Sequence, residues 1–176
     1  MIFTTLPLDG AYLIEPERLE DPRGFFARTW CARDAAAHGL NACVVQCSVS
    51  SNRHRGTLRG MHFQVAPSAE AKLVRCTAGA IYDVILDLRK NSATYTQWFA
   101  AELTAANRSM LYVPEGFAHG FQTLTDDSEV FYQMSQFFDA DAARGLRWND
   151  PAFKIDWPLA SPIMSAKDAA YPDFVR

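Results

Sequence analysis

Along most of the chain apolar and polar residues alternate with a period of two, the mark of strands that bury one face. KLVRCT (72–77), the glycine-bearing turn at 78–79 and AIYDVILDL (80–88) read as a pair of strands joined by that turn. In the second strand Ala80, Tyr82, Val84, Leu86 and Leu88 make one apolar face. TQWFAAEL (96–103), SMLYV (109–113), GFQTLT (120–125) and EVFYQMSQF (129–137) continue the pattern, with turn-rich TAANRS and TDDS between them. VPEGFAHGF, with Pro114, Gly116 and Gly120, is expected to be a tight turn between strands. A helix is expected over ARDAAAH (32–38), closed by Gly39. Regularly spaced short strands, little helix, and no repeat or linker predict one all-β domain over residues 1–176, a sandwich or barrel.

Composition narrows the partners. The 176 residues carry a formal net charge of −3, with 49% apolar and 21% charged residues. That balance speaks against nucleic acid or a membrane surface as the main partner, since both usually demand a basic excess. It leaves room for a small anionic ligand, because a few clustered arginines barely move the total. The four cysteines, Cys31, Cys43, Cys47 and Cys76, form no C-x-x-C pair and are expected as free thiols in a reducing compartment. MIFTTLPLDG lacks the basic region and apolar run of a signal peptide, and no stretch approaches the ~20 apolar residues of a membrane span. A cytoplasmic location is expected.

The candidate chemistry lies in polar residues that alternation aims inward. His62 shares a face with Leu58, Gly60 and Gln64, while Arg59 falls on the other face. Gly60 can relax that split, because glycine inside a strand often marks a bulge. Lys72 shares a face with Val74 and Cys76, and Tyr132 with Val130 and Met134. Each also has a structural reading: a packed histidine, a solvated lysine, a tyrosine at the core edge. Arg23 is equally readable as an exposed turn residue. A metal centre is not expected. The neighbours two residues from His62 are Gly60 and Gln64, neither a usual ligand, and His119 alone is too little to complete a site.

Longer stretches carry more. DPRGFFARTW, QCSVSSNRHRGTLRGMHFQ, AEAKLVRCTAGAIYDVILDLR, YVPEGFAHGFQTL, ARGLRWNDPAFKIDWP and PIMSAKDAAYP stand in one order from about residue 8 to 172. Together they resemble the dTDP-4-dehydrorhamnose 3,5-epimerase family, metal-free cupin-like proteins that act on nucleotide-linked 4-keto sugars. The resemblance implies a jelly-roll β-barrel or sandwich with a few short helices and no cofactor. PEGFAH matches the P-x-G-x-x-H element of cupins, and the H-x-H element of metal cupins is missing.

The resemblance also implies roles. His62 matches the catalytic base, Asp168 the carboxylate paired with it, Lys72 the lysine beside the keto oxygen, and Tyr132 the tyrosine that returns a proton from the opposite face. Arg59 and His119 match residues lining the sugar and phosphate pocket. Arg23 matches a nucleotide contact often supplied by the neighbouring subunit; Phe26 stands in the same stretch. Phe138 occupies the region where the family sets an aromatic against the base. These residue types suit the reaction. A neutral histidine can take a proton from a carbon beside a ketone, a buried carboxylate can fix its tautomer, and a pre-placed ammonium stabilises the enolate more than the ketone.

Departures lie at Arg28, where the family frequently has glutamate, and at Val44 and Gln46, where glutamine and asparagine are common. All three are expected near the nucleotide or sugar, Gln46 as a contact. The expected activity is epimerisation at carbons 3 and 5 of dTDP-4-dehydro-6-deoxyglucose. The alternatives are a carbon-3-only epimerase, a ketoisomerase or metal cupin, and a non-catalytic binding module. A homodimer is expected, partly as the resemblance implies and partly because GAYLIEPERLEDPRGFF reads as edge-strand material that a second copy would cover.

Overall fold

The computed structural model describes residues 1–175. Two antiparallel sheets lie face to face as a jelly-roll sandwich, open at its edges. The first sheet has the order β1 (Ile2–Thr5), β2 (Tyr12–Glu15), β10 (Met110–Val113), β7 (Lys72–Ala78), β12 (Ser128–Met134), β5 (Gln46–Asn52). The second runs β13 (Ala143–Gly145), β6 (Leu58–Gln64), β11 (Phe117–Thr123), β8 (Ala80–Asp87), β9 (Trp98–Thr104). A separate hairpin pairs β3 (Arg18–Asp21) with β4 (Gly24–Ala27). The expected helix forms as α1 (Ala32–Ala37), and a second, one-turn helix, α2 (Ala166–Ala169), lies near the end of the chain. Among the described residues no helix is long and apolar enough to cross a membrane.

The second sheet is covered on both faces, and the first on its inner face and on the outer face of β2, β7 and β10, which explains the long apolar runs there. Between them Val74, Cys76, Leu111 and Val130 of the first sheet pack on Ile81, Ile85, Leu103 and Phe121 of the second. The outer face of the second sheet, with Leu58, Met61, Val84 and Leu86, lies under Leu146, Phe153 and Trp157. The apolar face foreseen on β8 is therefore the one beneath the C-terminal segment. Its other face, Ile81 and Ile85, supplies the central core. On the first sheet, Leu73, Met110 and Tyr112 pack on Ala35 and Leu40 at α1.

Two expectations need correction. β7 and β8 are strands as read, but they do not pair: β7 bonds to β10 and β12, β8 to β11 and β9. The turn at Ala78 and Gly79 carries the chain from one sheet to the other. Local alternation defines a strand, whereas its partner is set by which faces must be buried. The second correction concerns His119. The turn is confined to Pro114–Gly116; β11 resumes at Phe117 and holds His119 within it, directly opposite His62. Gly120 is no turn residue but a point of close backbone approach to Gly60.

Candidate active site

Gly60 shapes the site. It has a φ of +124°, and a Cβ there would lie 2.6 Å from the Cα of Gly120 and 2.8 Å from the carbonyl of His119. No other residue type tolerates both demands. Between the pairs Arg59–Phe121 and His62–His119, β6 has two residues, Gly60 and Met61, where β11 has one, Gly120. The extra residue is a bulge. It turns Met61 outward into the second sheet's outer core and brings both Arg59 and His62 to the inner face. The bulge anticipated at Gly60 thus unites two side chains that strict alternation separates.

The inner face opens into a cavity of about 590 Å³. His62, Arg59 and His119 come to it from the second sheet; Lys72, Tyr132 and Gln46 come from the first; Phe138 lies at the mouth. Asp168 stands behind His62, with its Oδ1 2.9 Å from His62 Nε2 and its Oδ2 accepting from the Gly60 amide at 3.4 Å. The His62 side chain remains 42% exposed and that of Asp168 8%. The ring therefore faces the cavity while the carboxylate is hidden. With Nε2 directed to Asp168, Nδ1 is the nitrogen free to accept a proton.

Asp168 reaches this place from more than a hundred residues away along the C-terminal segment. That segment is pinned to the second sheet by Trp98 Nε1 on the Phe153 carbonyl at 3.0 Å and by Gln122, which both donates to and accepts from the Leu159 backbone at 2.9 Å. The amide of Leu58 bonds the Ile163 carbonyl at 2.9 Å. Ser165 then caps α2 by accepting from the Asp168 amide at 3.0 Å. Tyr171 follows, its ring edge-on to His62 with centroids 5.9 Å apart. A Cβ on Gly145 would lie 2.1 Å from that ring, so the glycine beside His62 makes room for it. The aromatic against His62 is Tyr171; Phe138, expected there, lines the cavity with 64% of its surface exposed.

Electrostatics favour a base on one wall and an acid on the other. Burial holds the His62 pKa below its usual 6.5, and the charges of Lys72 and His119 add to this against the opposing pull of Asp168. Imidazole is then the resting form at neutral pH. Burial, joined by the charge of Asp83, pushes the Tyr132 phenol far up, against weaker opposition from Arg59 and Ser50. Its proton is retained across the physiological range. His119 links the two walls: its Nε2 is 2.8 Å from Asp83 Oδ1, and its ring meets that of Tyr132 edge-on at 6.0 Å. Lys72 Nζ is 3.0 Å from Glu70 Oε1. Arg59 Nε donates to Asn52 Oδ1 at 2.8 Å, and Gln46 Oε1 accepts from the Phe138 amide at 3.1 Å.

Arg23 and Phe26 are not brought to this cavity. They project from the β3–β4 hairpin, where Arg23 pairs with Asp21 at 2.6 Å and Phe26 is 72% exposed. Arg28 lies 3.7 Å from Asp34 beside α1, and Val44 borders a small cleft near Trp30. Sequence reasoning passed over Asp83, Glu70, Arg144, Lys167 and Tyr171. Alternation could have flagged Asp83, an acid on the inward face between Ile81 and Ile85; no local pattern points to the others. Among the described residues, no three His, Cys, Asp or Glu side chains are grouped to hold a metal.

Known proteins are similar to this chain over nearly its whole length. The dTDP-4-dehydrorhamnose 3,5-epimerase family matches residues 5–176. A dTDP-4-dehydrorhamnose 3,5-epimerase of Sinorhizobium fredii is 42% identical over 177 residues, 98% of this chain and 89% of the relative. The Bacillus anthracis enzyme of that name, solved with TDP and PPi bound, is 42% identical and superposes with a TM-score of 0.95, covering 98% of this chain and 99% of its own. The Elizabethkingia anophelis enzyme gives a TM-score of 0.96 at 37% identity, covering 99% and 96%.

Proposed function

The chain belongs to the dTDP-4-dehydrorhamnose 3,5-epimerase family, and we propose that it epimerises a dTDP-linked 4-keto-6-deoxyhexose at carbons 3 and 5. The observation that carries this reading is the approach of His62 and Tyr132 to one cavity from facing sheets, with the Lys72 ammonium on the same cavity. Inversion needs a proton removed from one face of a carbon and another delivered to the opposite face.

His62 Nδ1 takes the proton from a carbon beside the ketone. The bonding pair becomes the carbon–carbon double bond of an enolate, and negative charge moves to the carbonyl oxygen. Lys72 stabilises that oxygen more than the neutral ketone, which lowers the barrier. Asp168 balances the imidazolium. The Tyr132 hydroxyl then gives its proton to the far face of the same carbon, restoring the ketone and leaving a phenolate. Imidazolium and phenolate exchange protons with solvent before the second carbon is treated alike. Arg59, and Arg23 from a second copy of the chain, would hold the diphosphate through charge-assisted hydrogen bonds. A homodimer would also cover Leu19 and Phe26, 67% and 72% exposed on a two-stranded hairpin that has no core of its own.

The test is turnover of dTDP-4-dehydro-6-deoxyglucose in D2O, read by NMR. The expected product has the L-rhamno configuration and deuterium at both carbons. Label at carbon 3 alone would make the protein a 3-epimerase, and no label would overturn the reading.

A further inference from the structure

Lysine is a point charge on a flexible stem, so a useful position for its ammonium has to be imposed. Among the described residues lining the cavity, Arg59, Lys72, Arg144 and Lys167 are cationic and Glu70 is the one carboxylate. The Glu70 side chain is 9% exposed and that of Lys72 11%, with Oε1 3.0 Å from Nζ. The other oxygen, Oε2, accepts from Gln64 Nε2 at 3.2 Å. The same Gln64 nitrogen reaches the Phe137 carbonyl at 3.2 Å, and Gln64 Oε1 accepts from the Asp139 amide at 2.6 Å. Glu70 therefore joins the lysine to the segment that carries Phe138.

We propose that Glu70 is a positioning residue that reserves Lys72 for the keto end of the substrate. The inference rests on the epimerase reading. Two forces would otherwise displace the ammonium. The neighbouring cations repel it, and a bound diphosphate, more highly charged than a ketone, draws it away from the sugar. A carboxylate in a nearly buried pair resists both. It also weakens the field of Lys72 at the enolate oxygen. Fixed position outweighs that loss, because a displacement of about 1 Å costs on the order of a hundredfold in rate.

The opposing demands separate in measurement. In Glu70→Ala the freed lysine turns to the diphosphate, so kcat should fall about 10- to 100-fold while dTDP binds as tightly as before or more tightly. Glu70→Gln retains an oxygen that can accept from the ammonium and should recover most of the loss. Unchanged kcat in Glu70→Ala would overturn the proposal. So would a parallel loss of kcat and dTDP affinity, the sign of a damaged cavity. An independent arm needs no turnover. The Lys72 ammonium signal in nitrogen-15 NMR, identified by its loss in Lys72→Arg, should be present in the ligand-free protein and absent in Glu70→Ala. Its persistence there would also overturn the proposal, whereas an inactive wild-type enzyme would instead overturn the epimerase reading.

Discussion

His62 is subject to opposing influences, and because it is the proposed base their balance sets the expected pH range of the reaction. Burial, Lys72 and His119 favour the neutral ring; Asp168 favours the imidazolium. Because the net shift is downward, the base is unprotonated at neutral pH and is lost only as pH falls. The acid limb of kcat/KM for proton exchange should therefore lie below pH 6.5, the usual histidine value. In Asp168→Asn the imidazolium loses its partner. That limb should move further down, while the plateau falls by about 10²- to 10⁴-fold. An acid limb at or above 6.5 in the wild-type enzyme, or one that moves upward in Asp168→Asn, would contradict this account.

The elements show what a single sequence makes legible. Strands announce themselves by alternation, and β7, β8, β9, β10 and β12 lie close to their expected positions. Their partners were not legible, because pairing depends on burial of faces by segments distant in the chain. β7 and β8 illustrate this, adjacent in sequence yet in different sheets. Arg59 and His62 shared a site only through the bulge, whose single sign was Gly60. Asp168 carried no local signal beyond the longer resemblance, since a one-turn helix gains its position from contacts of the segment before it. The β3–β4 hairpin has so little cover of its own that its place depends on what meets it. Arg18 donates to the carbonyls of Ala106 and Asn107, and Phe25 lies between Arg18 and Arg108, but Phe26 touches little. If a second copy covers it, the wild-type protein should sediment as a dimer and Phe26→Asp should shift the equilibrium toward monomer. A monomeric wild-type protein in analytical ultracentrifugation would refute that arrangement.

The molecule as a whole is mildly acidic, yet its cavity is ringed by Arg59, Lys72, Arg144 and Lys167. Overall charge thus conceals the site, and the concentration of cations in one hollow is what suits a nucleotide diphosphate. The sandwich supplies the other requirement. Two sheets, each backed by its own outer core, hold His62 and Tyr132, the proposed base and acid, on facing walls. The central claim is this division of labour, and Tyr132→Phe tests it most directly. Incubated with substrate in D2O, this variant keeps His62 and loses the donor opposite. NMR should show deuterium entering carbons 3 and 5 with the original configuration retained, as His62 returns a solvent-exchanged deuteron to the face it came from. Inverted product formed at the wild-type rate would contradict the account.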